Sequence, residues 1–228
     1  MDMQVWRSRL DTGQWFSHLP VLLQNSLLAA ARVRRLPSRQ LLFERGDPPC
    51  GLYAVLEGSV RIGAVSEQGK EALLSLVEAP HWFGEICLFD GQPRTHDAYA
   101  FGQCTLLHIP QITLLALLDE HPVYWRQLAL LMSHKLRLTF ISLEQLSLMP
   151  ASARLAHRLL MIAEGYGEVA APRRVLQLPQ EQLASMLSLS RQTTNQLLKD
   201  LQGQGILNLK YGEIEILDAE RLRALAVI

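Results

Sequence analysis

The sequence predicts an α+β fold: an N-terminal antiparallel β-roll of jelly-roll-like strand spacing, one long helix, and a C-terminal winged helix. Three observations carry that prediction. Between residues 37 and 110, short apolar runs alternate with glycines at Gly46, Gly51, Gly58, Gly63, Gly69, Gly84, Gly91 and Gly102. Between 111 and 148 there is no glycine, and proline occurs only at Pro122. Beyond Pro150, short helical segments are followed directly by two strand-like runs that meet at Tyr211-Gly212.

Composition bounds the possibilities. A chain of 228 residues that is 49% hydrophobic and 19% charged has the balance of a folded protein, with length for one large domain or two small ones. The formal net charge is +0, so any nucleic-acid site has to come from a local arrangement of side chains. Met1-Asp2-Met3-Gln4 lacks the basic start and apolar core of a signal peptide. The longest apolar runs, such as Leu114-Leu115-Ala116-Leu117-Leu118, are too short to cross a bilayer. Cys50, Cys87 and Cys104 are scattered and odd in number, which suits a reducing cytoplasm better than a disulfide frame. A cytoplasmic chain with no membrane partner is expected.

The elements follow in order. Leu22, Leu23, Leu27, Leu28 and Ala31 carry helical spacing, which predicts a helix over 12–35 ending in Arg32 to Arg35. Val60-Arg61-Ile62, Ala72 to Val77 and Cys104 to Ile109 read as short strands between tight turns, at the spacing of an antiparallel barrel or sandwich. Pro122 suits the first turn of the long helix.

Along that helix Trp125, Ala129, Met132, Leu136, Thr139, Leu143 and Leu146 are separated by alternating steps of four and three, the seam of a coiled coil. Leu128, Leu131 and Leu138 supply a second apolar face. A helix apolar on two sides needs two partners: its own domain and the same helix of a second chain, or, alternatively, the interior of a monomer. Thr139 is the polar member of the seam, either meeting something polar or bonding back to the carbonyl one turn earlier.

Residues 180 to 202 have the pattern of a helix-turn-helix. Leu183, Ala184 and Leu187 form the inner face of its first helix, Leu189 fills the turn, and Ser190 is a good N-cap for the second. Thr194, Leu197, Leu198 and Leu201 face inward from that second helix, leaving Arg191, Gln192, Gln196 and Lys199 outward. Such a face offers forked donors for guanine, amide pairs for adenine and cations for phosphate, which points to double-stranded DNA. Ser188 stands at the turn position that glycine commonly fills. Gly203 to Leu209 and Glu213 to Leu217 then read as a hairpin, the wing. The chain divides on this reading into 1–120, a helix over 121–148, and 149–228.

Enzyme chemistry finds no support. There is no paired His and carboxylate metal motif, no Gly-x-Ser-x-Gly elbow and no phosphate-loop lysine. The cysteines are too few for an iron–sulfur site, and the histidines show no spacing diagnostic of haem or metal ligation.

Four segments carry a resemblance: Leu52 to Arg61, then Phe83-Gly84-Glu85-Ile86-Cys87-Leu88-Phe89, then Pro93-Arg94-Thr95, then Ser190-Arg191-Gln192-Thr193. In that order, over nearly the whole chain, the sequence resembles the Crp/Fnr family of transcriptional regulators. The resemblance implies a cNMP-binding fold for the roll and a homodimer acting on a pseudo-palindromic operator. It also implies allosteric control by a small effector, and RNA polymerase as a further partner.

In cyclic-nucleotide-binding members, the segment matching Gly84, Glu85, Ile86 and Cys87 holds the cyclic phosphate and ribose. By the same resemblance Arg94 clamps the phosphate, Glu85 accepts a ribose hydroxyl, Thr95 adds a donor and Thr139 meets the base. Ser190 and Thr193 join Arg191, Gln192, Gln196 and Lys199 at the DNA. A glycine that lets N–H groups approach an anion, with a charge-assisted arginine beside it, supports that role on physical grounds.

The sequence departs from the family pattern at Phe140, where the cAMP-responsive prototype has a serine that meets the nucleotide bound to the other subunit. It departs also at Pro80-His81-Trp82, where Gly-Asp is usual, and at His96. Gln192 and Gln196 replace the prototype's Glu and Arg, so the operator is expected to differ. Three readings stay open: a cyclic nucleotide (cAMP or a relative), another small effector, or none. Glu85 and Arg94 also suit an ion pair within the roll, Cys87 is either a redox-reactive thiol or a small buried hydrophobe, and a nucleotide-binding signalling adaptor is the alternative from another class.

Overall fold

The computed structural model describes residues 3–65, 68, 71–167 and 172–227. The chain opens with α1 (Met3–Leu10), α2 (Gln14–Ser17) and α3 (Val21–Ala30). The single helix expected over 12–35 is therefore corrected to two helices and a strand. Pro20, which has no N–H to donate and disfavours helix at the residue before it, separates α2 from α3. Arg32–Leu36 is β1, because pairing with a neighbouring strand claims its backbone groups.

The roll then continues through β2 (Leu41–Phe43), β3 (Gly51–Val65), β4 (Glu71–Glu78), β5 (Trp82–Phe83), α4 (Ile86–Asp90) and β6 (Asp97–Pro110). The sheet is antiparallel in order β1-β6-β3-β4, with β2 added to β6 and β5 to β3. The strands expected at 60–62, 72–77 and 104–109 all lie within β3, β4 and β6; Gly69 lies outside the described residues.

Period-two alternation sorts the side chains of β3 and β6 between two cores. Leu52, Ala54, Leu56, Leu107 and Ile109 pack outward against Leu23, Leu27, Leu114 and Leu118 from the flanking helices. Tyr53, Val55, Cys104 and Leu106 pack inside the roll with Phe43 and Phe83.

After β6 come α5 (Gln111–Glu120), a helix distinct from the long one expected in this region, a 3₁₀ turn at Pro122–Tyr124, and α6 (Trp125–Leu148). Pro122 opens that 3₁₀ turn, just ahead of the long helix and not within its first turn. Leu128 and Leu131 are buried in the core shared with α3 and α5.

Two compact units divide the chain at Leu136 and Arg137, so α6 begins in the first and ends in the second. The second unit adds α7 (Ala151–Ala163), a 3₁₀ turn at Gly165–Gly167, β7 (Val175–Gln177), α8 (Gln180–Leu187) and α9 (Arg191–Gly203). It closes with β8 (Leu207–Lys210), β9 (Glu213–Ile216) and α10 (Ala219–Leu225). The sheet order is β7-β9-β8. The wing's first strand is shorter than expected, because Gly203 still belongs to α9.

Candidate functional site

Arg94 lies between α4 and β6, and the loop around Asp47 fixes its backbone. Its N–H donates to the Asp47 carbonyl at 2.8 Å, and its carbonyl accepts from the Gly46 N–H at 2.8 Å. The side chain turns inward and is only 4% exposed. Nη1 donates to the Gly84 carbonyl at 2.9 Å, and Nη2 to the Gly51 carbonyl at 2.5 Å. Nη2 also lies 3.1 Å from Cys50 Sγ, and Nη1 lies 3.8 Å from Cys87 Sγ. Cζ sits 4.4 Å above the Phe43 ring.

Among the described residues no carboxylate pairs with this guanidinium, and its buried Nε has no hydrogen-bond partner. Carbonyl dipoles, sulfur and a ring face compensate the charge only in part. A buried cation so placed favours an incoming anion. Gly84 is required beside it: φ is 98°, and a Cβ there would stand 2.8 Å from the Gly51 carbonyl oxygen and 2.9 Å from Arg94 Nη1.

Glu85 is 2% exposed, and its Oε2 accepts from Lys135 Nζ at 2.7 Å. The carboxylate therefore pairs with α6 and not with Arg94, which removes the roll-stitching Glu85–Arg94 pair from the open readings. Lys135 was missed at the sequence level. Its signal was there: it stands four residues before Thr139, on the same face of the helix.

The other roll positions divide. Cys87 is buried and Ile86 is 45% exposed. Thr95 is exposed, with Oγ1 2.9 Å from His96 Nδ1. Burial, aided by Arg45, holds His96 below the usual imidazole range. Burial raises the Cys87 thiol, and Arg94 opposes that rise. Trp82 points into the helical core, stacked on Phe16 at 5.6 Å, whereas its neighbour Phe83 faces Tyr53 inside the roll. The departure at Pro80-His81-Trp82 thus places its tryptophan on the face of β5 opposite Phe83. Thr139 and Phe140 lie on the part of α6 that belongs to the second unit, and both are exposed.

In the second unit, Ser190 Oγ accepts from the Thr193 N–H at 3.0 Å and caps α9, as its position suggested. The Ser190 and Thr193 hydroxyls lie 2.8 Å apart, so both serve the cap. Ser188 adopts φ 54° and ψ 36°, the left-handed conformation that ends α8 and turns the chain into α9. Thr194, Leu198 and Leu201 are buried, and Arg191, Gln192, Gln196 and Lys199 are exposed on the opposite face. Gln196 donates to Asp200 Oδ1 at 2.8 Å, one turn along the same face. The hairpin of β8 and β9 follows, with Tyr211 fully exposed at its tip.

A β-roll followed by a winged helix-turn-helix is the arrangement that comparison with known proteins also returns. The cyclic nucleotide-binding domain family matches residues 33–121, and the Crp-like helix-turn-helix domain family matches residues 153–225. A CRP-like cAMP-activated global transcriptional regulator of Mycobacterium tuberculosis is 31% identical over 188 residues, 82% of this chain and 84% of that one. The chain belongs to the Crp/Fnr family.

This Crp/Fnr regulator is a DNA-binding transcriptional regulator and not an enzyme. A solved CRP/FNR-family regulator from Thermus thermophilus aligns with TM-score 0.68 and 28% identity, covering 86% of this chain and 98% of that one. The c-di-GMP-responsive global regulator CLP of Xanthomonas campestris aligns with TM-score 0.68 and 25% identity, covering 84% of this chain and 96% of that one.

Along α6 of the regulator, Leu136, Leu143 and Leu146 are each more than half exposed, whereas Trp125, Ala129 and Met132 are partly covered. An apolar stripe of this length facing water is costly for a chain on its own. No helix is long and apolar enough to cross a membrane among the described residues.

Proposed function

We propose that the chain is a homodimeric, effector-controlled regulator whose effector is a cyclic nucleotide of the cAMP type. One observation carries this reading: the buried Arg94 guanidinium has no carboxylate partner among the described residues. A cyclic phosphate is an anion that Arg94 and the turn at Gly84 to Cys87 are placed to receive. Glu85 accepts the ribose hydroxyl, Thr95 adds a donor, and Thr139 and Phe140 meet the base. The cAMP-activated relative supports the same class of ligand.

The seam from Trp125 to Leu146 joins two copies, its exposed leucines supporting a partner of identical stripe. Residues 1–120 serve as effector domain, 121–148 as dimer helix and 149–228 as DNA-binding domain. Effector binding shifts the paired helices and so sets the spacing of two α9 recognition helices, which read half-sites one DNA turn apart. Arg191 and Gln192 read base edges, with Gln196, Lys199 and the capping pair Ser190 and Thr193 at the backbone. The regulator acts in the cytoplasm on a pseudo-palindromic operator, with RNA polymerase as the recipient of its output.

Calorimetric titration with cAMP, cGMP and c-di-GMP tests the effector. The expected result is saturable binding of a cyclic nucleotide that Arg94→Ala weakens by about 100-fold, the loss of about 3 kcal/mol of charge-assisted bonding. Heat from no nucleotide, or binding indifferent to Arg94→Ala, overturns it.

A further inference from the structure

Two thiols flank the guanidinium of Arg94. Cys50, just ahead of β3, is half-buried, and its sulfur lies 3.1 Å from Nη2. Tyr53 Oη also donates to that sulfur at 3.2 Å. Cys87, in the first turn of α4, is buried, with its sulfur 3.8 Å from Nη1 of the same side chain. Both sulfurs therefore meet the two ends of one planar group. The segments that carry them, Cys50-Gly51 and Gly84 to Cys87, also supply the two carbonyls that hold Arg94.

We propose that Cys50 and Cys87 are an oxidisable dithiol that gates the Arg94 anion site. The oxidant is a hydroperoxide. The Cys50 sulfur, the more accessible of the two, attacks a peroxide oxygen; the O–O bond breaks, and with hydrogen peroxide one water leaves, giving a sulfenic acid. The Cys87 thiol then attacks the Cys50 sulfur; an S–S bond forms, the S–O bond breaks and a second water leaves. Two thiols lose two electrons and two protons, and one peroxide becomes two waters.

The consequence follows from geometry. A disulfide brings its sulfurs to about 2.0 Å. The guanidinium lies against both sulfurs, so the bond displaces Arg94 and draws together the two segments that frame it. Oxidised protein loses the anion clamp and reduced protein regains it. Cys104 is the internal control: it is buried inside the roll with the aromatic core and has no hydrogen bond to Arg94.

The linkage does not depend on the effector reading; only its consequence for ligand binding does. Full-length protein treated with hydrogen peroxide and digested without reductant should yield a peptide joining Cys50 to Cys87, with Cys104 free. That peptide should vanish in Cys50→Ser and in Cys87→Ser, each checked for native circular dichroism. Oxidation should weaken cAMP binding at least tenfold, reversibly with dithiothreitol, and should not do so in Cys50→Ser. A missing link, a link between chains or one through Cys104 overturns the dithiol. Equal cAMP affinity in oxidised and reduced forms overturns the gate. If the reduced protein binds no nucleotide, the effector reading falls, and the linked peptide alone decides the dithiol.

Discussion

Lys135 Nζ sits 2.7 Å from Oε2 of Glu85, a carboxylate that is 2% exposed. The contact ties the segment at the start of α4, beside Arg94, to α6, the helix that carries the exposed leucine stripe. Removing the lysine leaves a buried charge without its partner. Lys135→Met should therefore destabilise the protein by roughly 2–3 kcal/mol, at the lower end of such losses because the lysine is one-third exposed. Lys135→Arg should recover most of that. Urea unfolding measures both; a Lys135→Met midpoint equal to wild type contradicts the pair's importance.

Arg94→Lys separates charge from shape. A lysine keeps the cation but loses the fork that reaches the Gly84 and Gly51 carbonyls together. Ligand affinity should fall at least tenfold while the fold stays intact, with the off-rate carrying the change in stopped-flow measurements.

Ser190→Ala removes the cap at the start of α9 and should cost about 1 kcal/mol of stability. Ser190→Asp should retain it, because a carboxylate also accepts from the Thr193 N–H and suits a helix N-terminus. Chemical denaturation distinguishes the two.

Arg191→Ala should cost roughly 1–3 kcal/mol per half-site at a single base position. Arg191 is exposed on α9, so binding to a library of duplexes is the readout. Equal weakening across every sequence, with a shallower salt dependence, would instead assign Arg191 to phosphate.

Burial pushes the Cys104 thiol from 9.0 up to about 11. The folded state thus holds the thiol neutral where the unfolded chain ionises. The stability it contributes is complete below about pH 9 and is lost as pH rises toward about 11. Cys104→Ala should flatten the decline of urea midpoints over that range; an unchanged slope contradicts the assignment.

The sequence made some of this legible and hid the rest for identifiable reasons. Strands β3, β4 and β6 and the helix-turn-helix followed from local pattern: alternation, the Ser190 cap and the buried Thr194, Leu198 and Leu201 stripe. Arg32 to Arg35 read as helix because their strand identity comes from pairing with residues far along the chain, Arg35 with Thr105 and Arg32 with His108. Gly84, Glu85 and Arg94 were visible in the sequence as pieces of a motif whose ligand role is proposed. Lys135, Cys50 and Phe43 were not, because they reach Glu85 and Arg94 through the fold and share no local sequence with them.

The proposed switch couples the roll to the helices that would read DNA. Its direct measurement is fluorescence anisotropy of a duplex selected in vitro for binding to this protein, titrated with and without saturating cAMP. Reciprocal linkage requires the same factor when cAMP binding is titrated with and without duplex. The account predicts at least a tenfold change in DNA affinity, about 1.4 kcal/mol, that disappears in Arg94→Ala. DNA affinity that is identical with and without the nucleotide would contradict it.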